Sequence, residues 1–279
     1  MPTTTPFSAS GEVDFQALAK NLDQWSRTNI TGYVLLGSTG ERVHLDESEY
    51  LAIVEQARKY VSADRAFIVG AGQQSTTGTI KEIARAAAVG ADAVLVITPN
   101  YYRSAITQDA LVSFYTAVAD ASLVPILLYS MPALTGIKIE PETVAHLSEH
   151  PNIIGVKDSS NDLAGFKQTV ELCPAEFAVM TGNGTIFLDA LEAGAAGAIL
   201  AVALVVPELC VEIFRSHGRK LQDKLTPLAT AVTTRYGIGG LKAALDLAGY
   251  RGGEVRAPLP APNENARAEI AALLAAANA

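Results

Sequence analysis

A lysine that ends an apolar segment is the residue of this chain best suited to chemistry. Lys157 directly follows the apolar residues 152–156, which predict a short buried strand. Burial disfavours the charged form of an amine, and a neutral amine can attack a ketone to form a Schiff base. The alternative is a lysine at a strand end whose amine reaches solvent. Lys157 is therefore a candidate nucleophile for a substrate that carries a ketone.

Polar residues also follow other apolar segments, where the carboxyl ends of parallel strands would bring them together. These stretches are 37–41 (Gly-Ser-Thr-Gly-Glu), 98–103 (Thr-Pro-Asn-Tyr-Tyr-Arg), 129–136 (Tyr-Ser-Met-Pro-Ala-Leu-Thr-Gly) and 182–184 (Gly-Asn-Gly). The glycines of 37–41 would let backbone N–H groups approach a ligand carboxylate, although an ordinary Gly-Ser turn is the alternative. A phenol at Tyr129 could move protons beside an amine, and a core tyrosine with a satisfied hydroxyl is the alternative.

The elements that must position these residues alternate between strands and helices. The apolar runs predicted as strands are Gly32-Leu36, Ala66-Val69, Ala93-Thr98, Pro125-Tyr129, Ile153-Lys157, Phe177-Thr181 and Gly197-Val202. Repeated strand–helix units imply a parallel sheet. With Thr3-Phe7 as an eighth strand, the prediction is an α/β fold of the (β/α)₈ TIM-barrel type. A doubly wound fold would need a glycine-rich fingerprint in its first strand–helix turn, and none is present there.

The pattern changes after Val202, and four helices are then predicted in succession. They cover 207–216, 221–233, 239–247 and 264–277. One of them would close the barrel and the others would form a C-terminal helical extension. The predicted division is therefore a barrel at 1–215 and an extension packed on it at 216–279.

Composition narrows the class of function. Of the 279 residues, 49% are hydrophobic and 18% are charged, which excludes disorder for most of the chain. The net charge of −8 and the lack of a basic cluster argue against nucleic acid and anionic membranes as partners. The N-terminus lacks the pattern of a signal peptide, and no apolar run reaches the length of a membrane span. We therefore expect a cytoplasmic protein.

Three motifs resemble those of the pyruvate-dependent class I aldolases related to dihydrodipicolinate synthase and N-acetylneuraminate lyase. They are Gly-Ser-Thr-Gly-Glu at 37–41, Tyr-x-x-Pro-x-x-Thr-Gly at 129–136 and Gly-x-Lys-Asp at 155–158. The resemblance extends over nearly the whole chain. It implies an eight-stranded barrel, a homotetramer built as a dimer of dimers, and no metal or organic cofactor. The implied ligands are a small 2-oxo acid and an aldehyde.

The resemblance also assigns roles to individual residues. It implies that Lys157 forms the Schiff base, that Tyr129 is the proton shuttle, and that Ser38 and Tyr101 complete a proton relay. Tyr101 would reach in from a neighbouring subunit. Other residues would contact the substrate: Gly37 and Thr39 at the carboxylate, Ile199 on the pocket wall, and Ser159 and Asn183 near the aldehyde end. For Ser159 and Asn183, helix capping is the alternative.

Departures from the family pattern bear on the substrate. Dihydrodipicolinate synthases generally have an arginine where this chain has Leu134, and leucine cannot make a bidentate carboxylate contact. Sialic acid lyases usually carry acidic residues after the seventh strand, where Gly182-Asn183-Gly184 stands here. The chain looks most similar to aldolases of 4-hydroxy-2-oxoglutarate and of 2-oxo-3-deoxy sugar acids. Dihydrodipicolinate synthase, N-acetylneuraminate lyase, a sugar-acid dehydratase and a non-catalytic barrel that binds a 2-oxo acid stay open as alternatives.

Overall fold

The apolar segments form seven β-strands in the computed structural model, which describes all residues from Met1 to Ala279. The strands are β1 Gly32–Leu35, β2 Ala66–Ala71, β3 Ala93–Ile97, β4 Ile126–Ser130, β5 Ile153–Asp158, β6 Ala178–Thr181 and β7 Gly197–Ala198. Most of their residues are buried, as expected for strands covered on both faces. The α/β prediction is therefore confirmed, with seven strands instead of eight.

Twelve α-helices precede, connect and follow the strands. They are α1 Phe15–Trp25, α2 Glu47–Arg58, α3 Thr76–Ala88, α4 Gln108–Ala121, α5 Pro132–Thr135, α6 Pro141–Ser148, α7 Leu163–Leu172, α8 Phe187–Glu192, α9 Pro207–Ser216, α10 Arg219–Thr230, α11 Gly237–Leu247 and α12 Glu264–Asn278. Local sequence explains where several begin. Asp46 and Glu49 form a capping box at α2, and Thr107 and Asp162 accept backbone hydrogen bonds as the N-caps of α4 and α7. None of the helices is both long and apolar enough to span a bilayer.

The chain divides into two compact units, which we describe separately. Unit 2 covers 67–199 and holds a parallel sheet in which β2 to β7 pair in chain order. Helices α3 to α8 lie in the segments between or after these strands. This unit carries Tyr129 and Lys157.

Unit 1 combines 1–66 with 200–279, so it joins the two ends of the chain. Its core includes Trp25, which is fully buried, donates to the Leu204 carbonyl at 3.1 Å and packs on Tyr250. Asn21 ties α1 to the segment after α11 through two hydrogen bonds with the Arg251 backbone. The predicted division into 1–215 and 216–279 stays a prediction.

Two strand predictions were wrong in extent. The segment Thr3-Phe7 does not form a strand; instead Pro2 makes a parallel bridge to Val34, with the Thr3 N–H donating to the Val34 carbonyl at 2.9 Å. The segment is too short for more ladder bonds before its chain turns to pair with Val13. The last strand ends at Ala198, since the chain enters a 3₁₀ turn at Ala201–Leu204.

Candidate active site

Lys157 and Tyr129 lie side by side on one face of the sheet of unit 2. Tyr129 on β4 is in register with Ile97 and with Lys157, and Lys157 is in register with Met180 on β6. Residues in register on parallel strands project to the same face. The Lys157 Nζ atom is 4.3 Å from the centre of the Tyr129 ring. The pairing predicted from the sequence is therefore present, with the amine against the face of the phenol ring.

The Lys157 amine is buried and has no carboxylate partner. Only 5% of the residue is exposed, and no ion pair or hydrogen bond of the chain involves its amine. The adjacent carboxylate, Asp158, projects to the opposite face because side chains alternate along a strand. Asp158 accepts from the Ser160 N–H at 2.6 Å, and burial raises its pKa. No hydrogen bond or ion pair within the protein therefore competes with a ligand for the Lys157 amine.

Gly182 makes room for the lysine, and it had no role in the sequence prediction beyond marking a loop. A methyl group on its Cα would lie 2.7 Å from Lys157 Cε and 2.0 Å from Ser159 Oγ. Its N–H donates to the Asp158 carbonyl at 2.6 Å, so the backbone comes close to β5. The signal in the sequence is a glycine one residue beyond the strand that pairs with the lysine strand.

Ser159 and Asn183 lie beyond β5 and β6, as predicted, but their side chains have different neighbours. The Ser159 hydroxyl borders Gly182 and therefore lies near the Lys157 side chain. The side-chain oxygen of Asn183, Oδ1, accepts hydrogen bonds from the N–H and the hydroxyl of Thr185. Its side-chain nitrogen, Nδ2, donates to Asn161 Oδ1 and to the Ser160 carbonyl. These bonds use the full hydrogen-bonding capacity of the Asn183 side chain. Helix capping and loop bracing therefore account for Asn183, and a substrate contact there would require one bond to break.

Tyr101 lies on the surface of unit 2 with 77% of its area exposed. Its ring stacks edge-on against Tyr102 at 5.1 Å, and its N–H donates to Gln74 Oε1 at 2.8 Å. The side-chain oxygen and nitrogen of Gln74 also form hydrogen bonds with Asn100, and no feature of the sequence had indicated these contacts. The phenol is available to a second molecule, and its predicted entry into a neighbouring subunit stays a prediction.

The loop after β4 carries Leu134 and is shaped by Thr135 and Gly136, the last two residues of the 129–136 motif, to which the sequence prediction assigned no individual role. Leu134 is 62% exposed in the short helix α5. The Thr135 hydroxyl bonds with Met131 and Ile137 backbone atoms, and Gly136 has a φ of +69°. A side chain at Gly136 would meet the Arg103 guanidinium at 2.8 Å. Arg103 therefore lies against this loop, at a residue that follows Leu134 closely in the sequence.

Ile199 is buried at the end of β7 in unit 2. Its N–H donates to the Thr181 carbonyl at 2.9 Å, which extends the pairing of β7 with β6 by one residue. Its predicted place on a pocket wall stays a prediction.

The loop of residues 37–41 follows β1 in unit 1. Ser38–Gly40 form a 3₁₀ turn, and the turn is flanked by two residues with positive φ, Leu36 at +55° and Glu41 at +53°. Gly37 is extended and faces open space, whereas Gly40 packs against the Thr3 carbonyl and receives the Thr5 hydroxyl at 2.7 Å. Of the two glycines, only Gly37 therefore leaves an open approach to the backbone. Strained residues of this kind often mark functional loops.

Comparison with known proteins identifies the family. The dihydrodipicolinate synthetase family matches residues 1–277. A 4-hydroxy-tetrahydrodipicolinate synthase of Jannaschia sp. is 34% identical over 281 aligned residues, which cover 98% of this chain and 96% of that protein. The dihydrodipicolinate synthase structure from Thermotoga maritima is 30% identical, has a TM-score of 0.93 and covers 99% of this chain and 97% of its own.

A further solved structure contains bound pyruvate. A prophage protein of E. coli K12 that belongs to the dihydrodipicolinic acid synthase family, in complex with pyruvate, is 26% identical with a TM-score of 0.92 over 99% of this chain and 97% of its own. The curated relatives are named for the synthase that the sequence prediction kept as an alternative, and not for its first choice. The chain thus belongs to the dihydrodipicolinate synthetase family, whose members are class I pyruvate-dependent lyases that act through a Schiff base.

Proposed function

We propose that Lys157 forms a Schiff base with a 2-oxo acid and that pyruvate is one partner of the carbon–carbon bond made or broken. One observation carries this proposal: a buried amine without a carboxylate partner lies 4.3 Å from the centre of the Tyr129 ring. Such an arrangement joins a nucleophile to a group that can move protons. The E. coli family member in complex with pyruvate supports pyruvate as the shared substrate.

In the cleavage direction the substrate is a 4-hydroxy-2-oxo acid. The Lys157 amine attacks the ketone carbon, and the former ketone oxygen leaves as water with a proton from Tyr129 Oη, which gives a protonated imine and a tyrosinate. Tyr129 Oη accepts the proton of the C4 hydroxyl, directly or through the relay of Ser38 and Tyr101. The C3–C4 bond breaks, its electron pair moves to the imine, and an aldehyde departs. Protonation of the enamine at C3 and hydrolysis of the imine release pyruvate and restore the amine.

The preferred substrate in this proposal is 4-hydroxy-2-oxoglutarate, with a 2-oxo-3-deoxy sugar acid as the related option. Cleavage of the former yields pyruvate and glyoxylate. Arg103 supports an acidic tail, because its guanidinium lies against Gly136 and has no acidic partner in the chain. It could therefore supply the cation that Leu134 cannot.

A second candidate is 4-hydroxy-tetrahydrodipicolinate synthase, and the names of the curated relatives favour it. The exposed leucine at 134 argues against it, because an arginine generally stands there in such synthases. The two candidates share the first step, the imine with pyruvate, and differ in the aldehyde. Formation of 4-hydroxy-tetrahydrodipicolinate from pyruvate and the matching amino aldehyde, compared with cleavage of 4-hydroxy-2-oxoglutarate, distinguishes them.

Further parts of the proposal rest on the family. Thr39 and the backbone at Gly37 would hold the carboxylate of the 2-oxo acid, and the open space at Gly37 supports this role. Met1–Thr3 would take the place of the eighth strand of a closed barrel, which the parallel bridge to Val34 supports. We also propose a homotetramer, supported by the exposed Tyr101, and a cytoplasmic location.

Reduction with borohydride in the presence of pyruvate tests the imine. We expect a pyruvyl adduct on the peptide that contains Lys157, found by mass spectrometry, and none in Lys157→Ala. Lys138→Ala is the control, because Lys138 is a lysine of the same unit that is ion-paired to Glu140 and Asp162. A folded wild-type protein without an adduct at Lys157 would refute the proposal.

A further inference from the structure

Unit 1 contains a buried ion pair that the proposed chemistry does not use. Glu41 Oε1 lies 2.6 Å from Lys242 Nζ, and the two side chains are only 1% and 2% exposed. Removing two such charges from water costs several kcal/mol per ion, and their attraction often does no more than offset this. A buried ion pair of this kind is therefore expected to add little to the free energy of unfolding. Its position in the fold instead indicates what it does.

The pair connects the loop of residues 37–41 to the C-terminal part of the chain. Lys242 belongs to α11, and its amine also donates to the Glu254 carbonyl at 2.5 Å and lies over the Phe7 ring. The other Glu41 oxygen accepts from the Arg256 N–H at 2.9 Å and lies 3.3 Å from His44 Nδ1. One carboxylate thus holds together residues from three separate stretches of unit 1.

The charge of the buried Glu41 carboxylate is balanced by Lys242. Burial lowers the pKa of Lys242, and the adjacent Glu41 carboxylate acts in the opposite direction. The other charged groups around the pair are Arg256 and Glu254, and the His44 ring lies beside Glu41. The Arg256 guanidinium is itself committed to Glu49 through two hydrogen bonds. Lys242 is therefore the cation that balances the buried Glu41 carboxylate.

Glu41 is also the residue that closes the loop. Its backbone has a φ of +53°, and its N–H donates to the Ser38 carbonyl at 3.1 Å. A residue with a side chain is disfavoured in this left-handed conformation, so surrounding contacts must hold it there. The ion pair holds the Glu41 side chain, while Thr5 and Thr3 hold Gly40 from the other side. Ser38 and Thr39 lie within the turn that these contacts fix.

We propose that Lys242 is a positioning residue, which acts through Glu41 to keep loop 37–41 in the conformation that receives the substrate carboxylate. The role of Lys242 rests on the proposed function, because the loop contacts a 2-oxo acid only if that function is correct. Lys242 itself would not touch the substrate. It would affect how tightly pyruvate binds much more than the chemical steps at Lys157.

Lys242→Met, which keeps most of the side-chain length and removes the charge, tests this role. We expect the pyruvate concentration that gives half-maximal borohydride trapping to rise about tenfold, because one charge-assisted contact is lost. Trapping at saturating pyruvate should still be complete. Leu241→Ala is the matched control, because it removes a fully buried neighbour on the same helix and destabilises the fold without altering the ion pair. Its half-maximal concentration should equal that of the wild type.

A half-maximal concentration that is unchanged in Lys242→Met, or raised equally in Leu241→Ala, would overturn the positioning role. If Lys242→Met does not fold, the double variant Glu41→Gln, Lys242→Met replaces it, since no buried charge is then left unpaired. We expect that variant to fold and to require about tenfold more pyruvate than the wild type for half-maximal trapping. A half-maximal concentration equal to that of the wild type would overturn the positioning role. Failure of the wild type to form any adduct would instead refute the proposed function.

Discussion

Gly182 lies so close to Lys157 that a methyl group on its Cα would stand 2.7 Å from Lys157 Cε and 2.0 Å from Ser159 Oγ. Both of these neighbours are side chains, which can move without unfolding the protein. The missing side chain at 182 therefore decides where the amine lies on the face that it shares with Tyr129.

For Gly182→Ala we expect a folded protein in which the amine is displaced. A displacement of about 1 Å can cost on the order of 10²-fold in rate, so kcat should fall by about that factor while the melting temperature changes little. Gly197→Ala is the control, since Gly197 lies on the neighbouring strand and has no atom within 4 Å of the added methyl group. Equal losses in the two variants would show that the glycine at 182 has no special link to Lys157.

Removal of the Tyr129 hydroxyl should separate imine formation from bond cleavage. Tyr129→Phe keeps the ring against the Lys157 amine, so the pyruvyl adduct should still form on long incubation, with solvent supplying the proton for loss of water. The loss of a proton-transfer group should lower kcat for cleavage by about 10²–10⁴-fold. Tyr33→Phe provides the comparison, because the Tyr33 side chain is buried in unit 1 and its hydroxyl interacts with Arg65. If both variants kept wild-type kcat, Tyr129 would not be the proton shuttle.

Arg103 should determine the preference for an acidic tail. Arg103→Met removes the guanidinium beside Gly136, and we expect kcat/KM for 4-hydroxy-2-oxoglutarate to fall about tenfold or more, the value of one charge-assisted contact. Cleavage of 4-hydroxy-2-oxopentanoate, which has a methyl group in place of the tail carboxylate, serves as the control and should be unchanged. An equal fall in kcat/KM for both substrates would mean that Arg103 does not bind the tail carboxylate.

Acid sensitivity should depend on Glu49, whose carboxylate is bonded to Arg256. The hydrogen bonds from Arg256 lower the Glu49 pKa below its usual value of 4.5. Because the pKa is lower in the folded state, the stabilisation is complete above about pH 4.5 and is lost as the pH falls through the folded-state pKa. Glu49→Gln keeps the capping-box geometry but removes the charge. We expect it to lose about 1–2 kcal/mol of unfolding free energy at pH 7, and much less at pH 3.

Urea unfolding of Glu49→Gln and the wild type at both pH values measures this difference. Glu55→Gln on the same helix is the control, because Glu55 is exposed and should give no difference at either pH. A loss in Glu49→Gln that is the same at pH 3 and pH 7 would contradict an electrostatic contribution from the Arg256 contact.

Much of the fold could be predicted because it depends on local patterns. Continuous apolar runs predicted the strands around Lys157 and Tyr129, since strands covered on both faces exclude polar residues. Cap residues such as Asp46, Thr107 and Asp162 mark helix starts locally, because they satisfy backbone groups within a few residues. The N-terminal strand was wrong, because a pairing of so few residues depends on its partner and not on its own sequence.

By itself the sequence determined the chemistry-bearing residues: an amine and a phenol at the ends of adjacent apolar segments, and a glycine-rich loop after another. Only the tertiary structure decided which of their atoms are engaged. It placed Gly182 against Lys157, engaged the Asn183 side chain with protein partners, left Leu134 exposed, placed Arg103 against Gly136, and joined Glu41 to Lys242 across 201 positions of sequence. Contacts between residues so far apart depend on packing distances of a few ångströms, which no local pattern specifies.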